Sequence, residues 1–154
     1  NIYDSSYDGA YSRSRVSVEK YLKQFPSIQI TLDVHRDAIH YESGTKCKPT
    51  AVINGKKAAQ VMIISGCEGN GVEDFPMWKE NLVFALGLQS SVEEKYNGLM
   101  RPVFFSNRKY NMDVTPCSLL LEFGTDANTL EEAVYSAQLI GDALARMLNN
   151  EMKG

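Results

Sequence analysis

Four apolar runs too short to be helices limit what this chain can fold into. They are "IQITLDV" (28–34), "VMII" (61–64), "PVFFS" (102–106) and "SLLLEFG" (118–124), and stretches of helical period stand before, between and after them. Continuous apolar runs of strand length are what a sheet buried on both faces requires. Residues 14–25 place Val18, Leu22 and Phe25 at helical spacing, and Pro26 stops that helix. Residues 77–98 read as an amphipathic helix with Trp78, Leu82, Ala85 and Leu86 on one side, closed by Asn97-Gly98. A last helix starts at a capping box formed by Thr129 and Glu132 and carries an apolar stripe of Leu130, Ala133, Val134, Ala137, Ile140, Leu144 and Leu148. Asn54-Gly55, between two extended runs, signals a hairpin whose second arm continues into "VMII". The expected fold is therefore α/β: a mostly parallel sheet with helices on both faces, plus a small β-hairpin insertion.

The chain of 154 residues suits one domain, 1–154, with one core. Residues 1–15 are polar, rich in Tyr and Ser, and broken by Gly9. A net charge of −3 argues against a nucleic-acid binder, which needs a basic surface to displace phosphate counterions. The apolar stretches are far too short for a membrane span, and the first residues show no signal peptide. The chain lacks an initiator Met and reads as part of a longer protein. Cys47, Cys67 and Cys117 are widely spaced and form no C-x-x-C pair, so they read as isolated thiols.

Reactive groups cluster where two strand runs end. The first run stops in His35-Arg36-Asp37, and the last carries Glu122 directly after three leucines. In parallel sheets ligands sit beyond the carboxyl ends of the strands, which puts His35 and Glu122 at one rim. Imidazole is a common zinc ligand, and a nearby carboxylate can accept a proton from water. Asp33 or Asp37 can orient the imidazole ring. The plainer alternatives are a hydrogen-bonded structural His35, an Arg36 ion pair for the aspartates and a salt-bridged Glu122. A carboxylate among leucines rarely stays unpaired, which favours a role for Glu122. His40 reads as structural or exposed. The "HRD" triplet lacks the rest of a kinase signature, "GCEGNG" lacks phosphate-loop spacing, and there is no G-x-S-x-G elbow. Arg13, Arg15, Arg108 and Asn128 lie in polar segments near the proposed rim. They are candidates for contacting substrate, or else ordinary solvated or capping residues.

"YDGAYSRSRVSVEKYLKQFPSIQITLDVHRDA" and "NRKYNMDVTPCSLLLEFGTDANTLEEA" together resemble the stage II sporulation protein P family, which belongs with the type 3 zinc-dependent N-acetylmuramoyl-L-alanine amidases. The resemblance implies a peptidoglycan hydrolase that cleaves the amide between N-acetylmuramic acid and L-alanine, and also peptide cross-links. It implies zinc as cofactor, His35 (in "DVHRDA") as a metal ligand and Glu122 (in "LLLEFGTDAN") as the catalytic carboxylate. The family's other two ligands have no counterpart here, so the chain reads as the C-terminal portion of the catalytic domain, lacking its first strand and helix. By itself it is expected to be inactive and to bind zinc weakly. This leaves a second function open, a non-catalytic wall-binding or complex-forming domain. The resemblance further implies peptidoglycan and stage II sporulation proteins D and M as partners. It implies a membrane anchor upstream and an extracytoplasmic place at the sporulation septum.

Overall fold

Alternation inside the apolar runs decides which side of the sheet each residue joins. The computed structural model describes residues 8–151, so of the Tyr- and Ser-rich opening residues 1–7 lie outside the described residues. The elements in chain order are α1 (Ala10–Gln24), β1 (Thr31–Asp37), β2 (Thr50–Ile53), β3 (Lys56–Ala59), β4 (Val61–Gly66), α2 (Trp78–Lys95), β5 (Phe104–Ser106), β6 (Ser118–Thr125) and α3 (Leu130–Glu151). The main sheet has the order β1-β6-β4-β5. β1 pairs with β6 and β4 with β5 in parallel, whereas β4 runs antiparallel to β6. The architecture is the expected α/β one, with a mostly parallel sheet and a separate β2-β3 hairpin. Asn54 and Gly55 take positive φ at the hairpin turn (51° and 77°), as a two-residue type I′ connection requires.

One sheet face holds Val61 and Ile63 of β4 and Leu119, Leu121 and Phe123 of β6, packed against α2 and α3. The intervening residues, Met62, Ile64 and Leu120, face the other way and pack with Phe75 and Met112. On this second side Tyr11 of α1 and Tyr110 complete the packing. A strand with period-two side chains and helices on both faces is buried along its whole length, and β6 is buried at every position.

Four expectations are corrected. β1 does not end before His35-Arg36-Asp37 but runs through them, because His35 and Asp37 pair along β6 on either side of a register shift at Arg36. β4 opposes β6, so the carboxyl ends of β4 and β5 point to the opposite end of the sheet from those of β1 and β6. α2 buries Asn81, Phe84, Ala85, Leu88 and Val92, and Leu86 stays exposed on its other side. In α3 the core face is Ala133, Ser136, Leu139, Ile140 and Ala143, while Leu130 and Val134 are exposed. Both helices are rotated from the expected stripe, because the surfaces they pack against, β4, β6 and the hairpin, decide which side is buried. The capping box forms as read: Thr129 Oγ1 accepts from the Glu132 N–H (3.2 Å), and Glu132 Oε2 accepts from the Thr129 N–H (3.0 Å). All three cysteines are unpaired thiols. No helix of the described residues is long and apolar enough to cross a membrane.

Candidate active site

Strand register brings the two reactive groups together. His35 on β1 is the direct partner of Glu122 on β6, and Met62 on β4 is the partner of Glu122 on its other side. Residues in register on adjacent strands, roughly 4.8 Å apart, point to the same face. Both lie inside their strands, near the carboxyl ends, on the face away from α2 and α3. The pair therefore opens into a cleft on the sheet surface rather than beyond the strand ends. The cleft has a volume of about 620 Å³, and its walls include Tyr11 and Ser14 of α1, Asp33, Asp37, Tyr110 and Leu120.

One residue past His35 the register slips: His35 pairs with Glu122, but Asp37 pairs with Thr125. Gly124 supplies the extra residue of this bulge, at φ +66°. A Cβ there would lie 2.4 Å from Asn128 Oδ1 and 2.8 Å from the Ala59 Cβ. Glycine is thus required at the residue that turns β6 away from the site.

Each reactive group has a defined environment. His35 Nε2 lies 2.9 Å from Asp33 Oδ1, an ion pair when the imidazole is protonated. This contact raises the imidazole pKa, burial opposes it, and the charges of Asp33 and Glu122 add to the rise. Glu122 is 9% exposed, and its Oε2 is buried without a hydrogen-bond partner. Burial pushes its carboxyl above the usual carboxylate range. The Asp37 charge raises it further, and His35 and Arg101 act against this. Asp37 is itself held by Arg101 (Nη1 to Oδ2, 3.0 Å) and by the Ala38 N–H (2.8 Å). Arg36 turns its guanidinium to the carbonyls of Thr125 (2.7 Å) and Asn128, so its charge ties the rim together. A carboxyl with a raised pKa and an unsatisfied oxygen, beside an oriented imidazole, is a candidate to accept and release a proton.

The other sequence candidates stand elsewhere. Arg13 donates to the Asp8 carbonyl at 2.8 Å on the exposed side of α1. Arg15 pairs with Asp113 (2.8 Å) and Glu19 (2.6 Å), fastening α1 to the segment before β6. Neither lines the cleft. Arg108 lies 5.7 Å from the centre of the Tyr110 ring, behind the cleft wall. Asn128 is buried: its Oδ1 accepts from the Thr125 N–H, and its amide donates to the Pro49 carbonyl and to Glu132. Its side chain is committed to the corner between β6 and α3. His40 is a half-exposed partner of Asp126 at 2.9 Å. Tyr11 and Tyr110 are the site residues that sequence reading missed. Their only local signal is an aromatic ring in an otherwise polar segment.

Zinc binds through nitrogen, sulfur and oxygen donors, four in a closed site and three in an open one. Among the described residues no group of three His, Cys, Asp or Glu can hold a metal ion. His35 is the cleft's one imidazole, and these residues do not make a zinc site by themselves.

Comparison with known proteins adds the lineage. A family model described as Stage II sporulation protein P (SpoIIP) matches residues 1–145. The chain belongs to the stage II sporulation protein P family. It is 35% identical over 147 residues to Stage II sporulation protein P of Bacillus subtilis (strain 168), covering 92% of this chain and 34% of that protein. The chain thus spans about a third of that relative's length. No solved structure matches it significantly. Membership in the SpoIIP family makes this a sporulation-related chain. The segments quoted for the resemblance hold β1 with His35 and β6 with Glu122, the two strands that form the site.

Proposed function

We propose that this chain carries part of the active site of a peptidoglycan hydrolase that cleaves the amide between N-acetylmuramic acid and L-alanine. Glu122 is its catalytic carboxylate and His35 one zinc ligand. The observation that carries the reading is the buried, unpartnered Glu122 Oε2 facing the cleft beside an imidazole already held by Asp33. An orphaned buried carboxylate oxygen costs stability and persists where a reaction uses it. Glu122 takes the proton of the attacking water and returns it to the leaving amine. Burial and the nearby aspartates keep its basicity high enough for both steps. Zinc held by His35 together with further donors would supply Lewis acidity at this cleft. Peptide cross-links are a second substrate. SpoIIP family membership supports action on the wall at the sporulation septum, outside the cytoplasmic membrane. There the protein is held by an anchor outside these residues and works with stage II sporulation proteins D and M.

The test is muropeptide hydrolysis by the longest natural form of the chain, beside its Glu122→Gln variant. Turnover is expected to fall by at least about 10²–10⁴-fold while bound zinc is retained. Undiminished turnover in the variant overturns the role of Glu122. The missing three-donor cluster favours one other reading, a wall-binding domain without catalysis. Peptidoglycan binding with no product released by the unmutated protein selects it.

A further inference from the structure

Among the described residues the imidazole of His35 meets one charged partner at its edge, Asp33, with Nε2 2.9 Å from Oδ1. A single contact at one edge leaves the plane of the ring to be set by something else. A flat group lies parallel to it: the Tyr11 ring, 6.1 Å from the imidazole centre and inclined by 17°. Tyr11 in turn packs on Tyr110 at 4.8 Å and 34°, and Arg108 stands 5.7 Å beyond the Tyr110 ring. These spacings fall in the range where aromatic and cation–π pairs attract. Pairwise contacts thus run from Arg108 through Tyr110 and Tyr11 to the imidazole.

This run of contacts is anchored with some strain. Tyr110 and Asn111 both take left-handed backbone conformations, with φ of 42° and 59°. Such conformations in bulky residues persist where surrounding contacts impose them. The Asn111 amide donates to the Tyr11 carbonyl at 2.8 Å and to Ser14 Oγ at 3.1 Å. The turn of α1 that carries Tyr11 is therefore clamped to the loop that carries Tyr110. α1 buries no side chain, so such contacts, with the Arg15–Asp113 pair, set where it stands.

We propose that Tyr11, backed by Tyr110, is a positioning residue that fixes the plane of the His35 ring while Asp33 fixes its edge, so that α1 completes the site. This role rests on His35 being a working group of the proposed amidase. The ring of Tyr11 makes the stack, so Phe can replace it and Leu cannot.

The first measurement is the imidazole proton spectrum of this chain, with His40 as internal control. Contacts between the Tyr11 and His35 rings by nuclear Overhauser effect are expected in the unmutated protein. His35 ring-proton resonances are expected to move in Tyr11→Leu and to hold their positions in Tyr11→Phe. No such contacts, or unmoved His35 resonances in Tyr11→Leu, overturn the proposal. The second measurement is muropeptide hydrolysis by the longest natural form. Tyr11→Leu is expected to lower kcat by about tenfold to 10²-fold with KM nearly unchanged, and Tyr11→Phe to restore it. An unchanged kcat in Tyr11→Leu overturns the positioning role. If the unmutated protein hydrolyses nothing, the amidase reading fails, and the spectra alone decide the position of Tyr11.

Discussion

Glu122 and Gly124 sit two residues apart and show how local chemistry shapes this site. Glu122 was legible as a candidate because a carboxylate behind Leu119-Leu120-Leu121 has to lie in a buried strand. Gly124 was not singled out, since a glycine at a strand end suits many structures. Its necessity shows in the left-handed φ and in the Asn128 and Ala59 atoms that a Cβ would strike. Gly124→Ala is expected to destabilise the chain by about 1–3 kcal/mol, read from the urea midpoint. An unchanged midpoint would mean that the bulge relaxes freely. Asn128 carries the opposite lesson. A polar residue near a rim looked available for substrate, but its amide closes the very corner that Gly124 opens.

Elements were legible where a local rule governs them. The Asn54-Gly55 turn and the Thr129–Glu132 box form as read, because each is decided within a few residues. Helix faces were not, because the partner surface decides them. α2 turns a polar side chain, Asn81, into the core. Its amide donates to the Met112 carbonyl at 2.7 Å, and its Oδ1 accepts from the Ser118 N–H at 2.9 Å. One side chain thereby fastens α2 to the start of β6 and to the loop that carries Tyr110. Asn81→Ala would leave both backbone groups buried and unsatisfied, a loss of about 2–4 kcal/mol. Hydrogen exchange at the Ser118 amide checks this, and should speed up well beyond exchange at the hairpin. α1 differs in kind. It stands over an apolar cavity of about 370 Å³ lined by Val18, Leu22, Ile30 and Leu32, and polar and aromatic contacts hold it there.

At the scale of the molecule, charge and sheet topology decide the outcome. Burial alone would raise the pKa of Glu132. Lys48, the Thr129 N–H and the Asn128 amide outweigh it and bring the carboxyl from its ordinary 4.5 down to about 2. A carboxyl with a lowered folded-state pKa adds stability that is complete above the unfolded value and lost as pH falls through the folded one. Thermal stability is therefore expected to drop between about pH 4.5 and pH 2, and Glu132→Gln should flatten that drop. An equally steep drop in the variant would assign the acid sensitivity to other groups. The sequence alone determined the α/β class, the hairpin and the last helix cap, and it singled out His35 and Glu122 as candidates. Each follows from periodicity, turn chemistry or the rarity of a carboxylate in an apolar run. Only the tertiary structure decided that β4 runs against β6, that His35 and Glu122 stand in register inside their strands, and that Tyr11 covers the imidazole. Those facts depend on which distant segments pair, and pairing is set by the packing of whole faces rather than by any local pattern.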